Sequence, residues 1–567
     1  MKKYKSYILA AVVGLSVTSC EDFLTLMPLN EVVLENFWTN EKDVESVLLG
    51  AYGSLANSDC LTRMVAWGEM RSDNIIPGTD NSGDDDLSQF INENFTSKNS
   101  LTTYLCFYKT INYANTVLHY APEVKEKDPN FHGSELAAIE AEAIAIRSLC
   151  YWYLIRAFGD VPYVTEPSID DTKDFFIGQT KFDDILESLI SDLEKYLIAS
   201  QGHFSSSWQK KQVSARDQEN TARFTRLAIE AMLADMYLWK GDWINCYNHC
   251  HYIDSVKNEE YKTIKAVQSA DCTIEPINGY PLISEIIIGG SSKTDCGNAY
   301  NEIFGDGKSF ETIFELAGGS NNSFVSDYYN SNTSTTGRLK AASGVERGDK
   351  VFGNYDVRYY QDILDDDNKG IAKYVYGSMK YDLSTGKPSG NKGNRRQSSS
   401  KPNWIVYRYT DVMLMEAEAL VMWAKEETAN TDSLLHEAFL LVDAVNKRAI
   451  CYPYYTGATP LNEKDYTNSV TSMEELVLDE RRRELMFEGK RWFDLVRKAM
   501  RDGNADYVSQ KVQNKNPKGS NSSVSASKFK NLKGLFLPIN FDEIKINDKL
   551  IQNPAYYTER EQSHKAQ

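Results

Sequence analysis

The chain has 567 residues, 42% of them hydrophobic and 25% charged, which is enough apolar content for one large or several ordinary folded domains and unlike the make-up of a disordered chain. A formal charge of −18 argues against non-specific nucleic-acid binding, which calls for a basic face. The 34 tyrosines offer large rigid rings with polar tips, useful in cores and on recognition surfaces alike.

The N-terminus carries a targeting pattern. Lys2, Lys3 and Lys5 precede an apolar stretch from Tyr7 to Val17 that is too short to span a bilayer, and Thr18-Ser19-Cys20 closes it. Residues 1–19 therefore read as a lipoprotein signal peptide and Cys20 as its lipidation site, although Val17 stands where the usual pattern has leucine. The mature chain, 20–567, is expected to form a single domain.

An amphipathic helix is expected from Glu41 to Leu55. Residues 65–90, VAWGEMRSDNIIPGTDNSGDDDLSQF, are rich in Gly and Asp and read as a long exposed loop. Asp80, Asp84, Asp85 and Asp86 lack EF-hand spacing and its closing Glu, so the loop reads as solvated and acidic. A helix from Thr103 is expected to end at Pro122, and a second to run from an N-cap at Ser134 to Gly159. Tyr151, Trp152 and Tyr153 near its end point around a helix, as core residues do, and do not line one face as a sugar platform would. Further helices are expected over 182–197 and 225–239, the latter followed by a Gly241-Asp242 turn in the manner of a tetratricopeptide pair. Such pairs recur at 407–425 and 434–448, and a pair cannot bury its apolar face alone, so they must stack. The predicted class is mostly α, with helical scaffold over about 40–260 and 405–500.

Cys246, His249, Cys250 and His251 gather sulfur and imidazole within six residues. Structural zinc normally joins two separate ligand pairs, and no second pair is evident, so no metal or other cofactor is expected. The eight cysteines after Cys20 show no disulfide framework and read as mostly free, buried thiols. Between about 270 and 404 the pattern changes to short β-rich runs, SEIIIGG and ETIFELAGG, set among Gly/Ser/Asn-rich loops. Long loops on a rigid scaffold are where binding residues concentrate.

The stretch Thr471–Met500 reads as one helix, with a capping box at Ser472 and Glu475 and an apolar face of Leu478, Leu485, Met486, Phe493, Val496 and Met500. Glu480, Glu484 and Glu488 fall four apart beside Arg481, Arg482, Arg483, Lys490 and Arg491, within i,i+3 and i,i+4 pairing distance. A carboxylate metal site would want histidine partners, and none occurs between His436 and His564, so the row reads as a structural brace of ion pairs. Residues 479–499, DERRRELMFEGKRWFDLVRKA, resemble the signature helix of SusD/RagB-type lipoproteins, the surface nutrient-binding partners of outer-membrane transporters in Bacteroidetes-like bacteria.

Further landmarks of that resemblance follow in order. They are Cys20 with acidic Glu21-Asp22 behind it, Phe37-Trp38, the helix closing in Gly-x-Val-Pro at 159–162, the strand ETIFELAGG, the Asp356-x-Arg358 turn, and a closing segment of 530–567 with a Leu-Pro-Ile strand and Asn553-Pro554. The resemblance implies a SusD-like fold with ligand-facing loops over about 270–404. It implies an oligosaccharide-binding lipoprotein, anchored to the outer membrane and facing the cell exterior, that acts as a lid on a SusC-like TonB-dependent transporter. More than one acyl chain at about 0.8 kcal/mol per buried CH2 would make such anchoring stable. Site residues implied by the two loop regions resembling ligand-facing ones are Trp67, Arg71, Asp73, Asn74, Tyr328, Tyr329 and Tyr355. A peptide-binding RagB-like member shares the scaffold, and a surface glycosidase or a purely structural repeat scaffold are the remaining alternatives. No catalytic motif occurs: there is no H-E-x-x-H, no phosphate-cradling glycine loop and no Gly-x-Ser-x-Gly elbow, so no enzyme is expected.

Overall fold

A computed structural model describes residues 37–557 except 80–82, 170–175, 200–220, 268–271, 287–295, 318–326, 330–336, 349–350, 365–368, 376, 378–379, 383–386, 390–401, 428, 456 and 516–526. The expected signal peptide, residues 1–19, and Cys20 lie outside the described residues. Among those described, no helix is long and apolar enough to cross a membrane.

The fold is mostly helical. Helix α1 (Glu41–Leu55) starts at an Asn40 cap whose side chain accepts from the Lys42 N–H, while Asp43 reaches back to the Asn40 N–H at 3.0 Å. Its Val44, Leu48, Ala51 and Leu55 are buried. After α2 (Ser58–Val65) the expected exposed loop turns out to be mostly interior: a wide turn at Ala66–Met70, strand β1 (Ile75–Pro77) and helix α3 (Asp85–Ile91), with residues 66–75 all buried. Composition misled because its charges are paired inside: Arg71 bonds Glu93 at 2.7 Å, and Asp84, taken for part of a solvated run, caps α3.

Helix α4 (Leu105–Lys127) continues past Pro122, contrary to the expected stop. A proline there forfeits one backbone bond, and Val124 is buried beyond it. Helix α5 (Gly133–Phe158) is capped by His132 and Glu135, not by Ser134, and ends at Gly159 with φ of +79°. Ala141, Ala143 and Ala145 are fully buried in it, as are Tyr151 and Trp152. Helices α6 (Phe182–Ala199), α7 (Arg226–Lys240) and α8 (Trp243–Val267) follow, the last two joined at Gly241, whose left-handed φ of +81° suits glycine.

The strand-bearing middle contributes hairpin β2 (Ile274–Ile277) with β3 (Tyr280–Ile283), then β4 (Thr312–Leu316), β5 (Leu339–Ala341), the short helix α9 (Arg358–Asp362), the pair β6 (Lys380–Asp382) and β7 (Lys387–Ser389), and β8 (Trp404–Arg408). Strands distant in sequence close it: β1 pairs with β5, Ile75 opposite Ala341, and β4 with β8, Thr312 opposite Arg408. Of SEIIIGG, only residues 284–286 are described, and they form a lone bridge from Ile286 to Cys296.

Helices α10 (Tyr409–Glu426), α11 (Thr431–Ala449), α12 (Glu463–Tyr466), α13 (Val470–Glu484), α14 (Arg491–Asp502) and α15 (Asp506–Asn514) complete the scaffold. Neighbours pack α1 on α4, α4 on α5, α5 on α6, α7 on α8, α8 on α10, and α10 on both α11 and α13. The single helix expected over 471–500 is two. It starts at a Ser469 cap, not Ser472, and breaks over residues 485–490, where Phe487 (φ +66°) and Gly489 (φ +73°) are left-handed. Met500, placed on the apolar face, is 45% exposed. The expected Leu-Pro-Ile strand forms no ladder: its Leu537 N–H bonds the Ala157 carbonyl at the end of α5.

Candidate functional site

The break between α13 and α14 organises a buried ion-pair network. Glu484 meets Arg408 at 2.6 Å and Arg358 at 2.8 Å, and also pairs with Arg448. Glu480 holds Arg358 and Arg483 at 2.7 Å each, and Glu488 holds Arg408 and Lys373 at 2.8 Å. Burial opposes ionisation of Glu484, but Arg448, Arg408 and Arg358 outweigh it and keep its carboxyl well below the usual range. Arg483 with Glu480 is the one expected i,i+3 pair that forms within α13; Arg481, Arg482, Lys490 and Arg491 reach Asp411, Asp494 and Asp73 instead. The space enclosed by this network is about 20 Å³, room for a water and not for a substrate.

Five of the seven expected ligand residues are interior. Trp67 stacks on Phe107 at 5.0 Å and donates its indole N–H to the Leu101 carbonyl. Arg71 is sandwiched against Trp492 and paired with Glu93. Asp73 bridges Arg482 and Arg491, and these cations overcome burial to hold its carboxyl well below its usual value. Asn74 bonds Arg482 and Glu69, and burial raises Glu69 to about 7. Tyr329 donates to the Phe487 carbonyl at 3.0 Å. All five have their polar atoms turned to other parts of the chain, so their burial does not fit a ligand-facing position; Asp73 and Asn74 tie the 66–75 segment to Arg482 and Arg491 on either side of the α13–α14 break, and Tyr329 bonds within that break.

The other two reach the surface. Tyr328 is half-buried beneath the Arg338 guanidinium, 4.5 Å from its ring centre, and Arg338 is paired with Asp84; the two loop regions singled out in the sequence thus meet here. Tyr355 is 37% exposed and packs edge-on against Tyr455 at 4.8 Å. It sits in a turn whose Gly353 and Asp356 line an open cleft of about 390 Å³. Asn446, Asp465, Ser472, Glu475, Asp479 and Arg483 give that cleft a polar wall, and Leu461, Tyr466 and Ile450 an apolar one. Tyr452 and Tyr454, 40% and 38% exposed, belong to the segment behind Ile450. Chemically this is an open groove with the Tyr466 ring in its lining and hydrogen-bonding groups of both kinds, suited to holding a polyhydroxylated ligand. Tyr452 and Tyr454 were not among the expected residues; the C-Y-P-Y-Y run at 451–455 was the available signal.

Cysteine and histidine take separate paths. Cys246 and Cys250 are buried free thiols, His249 turns to Glu230 at 2.6 Å, and His251 turns the other way, toward Glu416.

Comparison with known proteins extends over most of the chain. Residues 300–556 match the SusD family model, and residues 22–238 match a model described as "Starch-binding associating with outer membrane". SusD-like protein P38 of Formosa agariphila is 25% identical over 532 residues, covering 88% of this chain and 92% of its own. SusD-like protein P2 of the same organism is 24% identical, covering 88% and 91%. A SusD superfamily protein from Bacteroides vulgatus superposes with a TM-score of 0.62 at 16% identity, covering 92% of this chain and all of its own. For a SusD homolog from Bacteroides thetaiotaomicron the values are 0.58, 21%, 92% and 100%. At these identities the superpositions speak to fold alone.

Proposed function

Because the chain belongs to the SusD family, we propose that it is a non-catalytic, lipid-anchored protein that captures glycans outside the outer membrane and passes them to a SusC-like TonB-dependent transporter. The observation that carries the ligand half of this reading is the open, polar 390 Å³ cleft lined by Gly353 and Asp356, in the turn that also holds the exposed Tyr355. A sugar presents an apolar ring face and a rim of hydroxyls, which an exposed tyrosine beside Asn, Asp and Arg side chains complements. Tyr328, under Arg338 where the two loop regions meet, is the second residue of the expected set proposed to approach ligand. Anchoring through Cys20 follows from the signal pattern.

The cleft is tested by Tyr355→Ala. Native gels cast with soluble starch and a panel of other polysaccharides identify which glycan retards the wild type. The variant is expected to bind that glycan about tenfold more weakly, the scale of losing one aromatic anchor, with an unchanged melting temperature. Equal retardation of both proteins would remove Tyr355 from the site. Binding of peptides with no binding of any glycan would favour the RagB-like alternative. For the partner, the tagged chain extracted from outer membranes in mild detergent is expected to co-purify with a TonB-dependent barrel; recovery without one would count against the transporter role.

A further inference from the structure

Buried carboxylates in this protein are paired with cations almost everywhere. Glu418 has Arg497 and Arg501, Asp73 has Arg482 and Arg491, and Asp411 has Arg481 and Lys490. Glu69 and Glu285 form no ion pair among the described residues but accept hydrogen bonds from Asn74 and Gln361, whereas Asp254 on α8 and Glu416 on α10 have no Lys or Arg partner there either. Asp254 and Glu416 are 4% and 0% exposed; their carboxyl groups lie against each other and the Tyr409 hydroxyl, and none of the four oxygens makes a hydrogen bond of ordinary geometry among the described residues. The group that does approach is His251, one helical turn before Asp254, with Nδ1 3.6 Å from Glu416 Oε1. One ligand atom from each of the three residues falls within 4.8 Å of the others.

We propose that His251, Asp254 and Glu416 bind a divalent transition-metal ion, zinc in the first instance, across the α8–α10 contact. Two carboxylates held side by side without a counter-ion repel each other and lose hydration, and a cation between them removes both costs. One imidazole nitrogen with two carboxylate oxygens is the donor set of zinc and its neighbours; calcium and magnesium favour all-oxygen cages. Donors around zinc stand roughly 3.4 Å apart at bond lengths near 2.1 Å. The site therefore needs only a small contraction, which the 57% exposed His251 side chain can supply by rotating. Tyr247 stacks on the His251 ring at 5.3 Å and steadies its plane. His251 also marks the entry path and leaves a fourth position open to water. Joining α8 to α10, the ion would be a structural clip, and the cysteines of the same helix take no part in it. This inference stands independently of glycan capture.

The full chain, stripped with EDTA and desalted, is titrated with zinc chloride by calorimetry and followed by thermal unfolding. One zinc per chain is expected, with a melting temperature raised by about 2–5 °C at roughly a hundredfold excess over Kd. His251→Ala, at an exposed position, is expected to leave the metal-free melting temperature unchanged and to weaken zinc at least about tenfold. Glu416→Gln is expected to abolish the thermal shift. Zinc bound equally well by both variants, or a stoichiometry far below one, would overturn the proposal. An equal shift from magnesium chloride at the same concentration would overturn the nitrogen-bearing site.

Discussion

Replacing Glu484 by glutamine is expected to cost about 3–5 kcal/mol of stability, because it leaves three buried guanidinium groups facing one another. Glu484 is the shared anion of Arg358, Arg408 and Arg448, which come from α9, the β8–α10 junction and α11. Glu480, Glu488 and Glu311 hold the outer sides of those arginines and cannot move inward without abandoning them. The measurement is the urea midpoint at constant m, with the glycan affinity of the folded fraction as control. A Glu484→Gln protein of normal stability that has lost its ligand would show that the network is the binding site and not a brace.

The same pair of proteins gives a signed pH test. Glu484 titrates below its unfolded value, so the folded state binds fewer protons than the unfolded state as pH falls, and the contribution of this group must shrink. The stability difference between wild type and Glu484→Gln is expected to be constant above about pH 5 and to narrow progressively below about pH 4. Asp411, held at about 2 by Lys490 and Arg481 against the opposing effect of burial, loses its contribution in the same direction. Glu285 and Asp362, pushed up to about 7 by burial, act oppositely as pH rises from about 4. The subtraction between the two proteins isolates Glu484 from these.

Gly68→Ala is the second large effect. A Cβ there would stand 1.9 Å from the Gly489 carbonyl oxygen and 2.6 Å from its carbon, so backbone meets backbone and no side chain can swing aside. The opposing strand of chain has no room either. Gly489 is left-handed, and its own Cα side faces the Met64 carbonyl and Trp404. A loss of about 3 kcal/mol or more is expected, at the upper end for overpacking, read as a fall in melting temperature. Gly50→Ala in α1, with nothing within 4 Å of its added carbon, serves as the control and is expected to be neutral or stabilising by up to about 1 kcal/mol. A Gly68→Ala protein as stable as the control would mean that the 66–70 turn and the helix break do not touch in solution.

These two sites mark where the sequence was readable and where it was not. Helix α1 appeared with its expected bounds, and the Gly241 turn fell where glycine punctuation put it, because periodicity and caps are local and are written within one or two helical turns. The Glu and Arg residues of 480–491 were legible as a brace, but their partners were not. Arg358, Arg408 and Arg448 lie from 36 to 126 positions away from Glu484, and nothing within α13 announces them. For the same reason a polar stretch such as 66–75 looked exposed. A charge reads as surface in one dimension, and only the arrival of Glu93, Arg482 and Arg491 makes its burial tolerable.

The amino-acid sequence by itself determined the helical class, the order of family landmarks and the absence of a recognisable catalytic motif, since each depends on residues close together in the chain. Tertiary structure decided which expected site residues are interior, where the long helix breaks, that the Gly353–Asp356 turn borders an open cleft, and that His251 meets Asp254 and Glu416. Each of those depends on segments remote in sequence packing together, and burial and ion pairing exist only once they do.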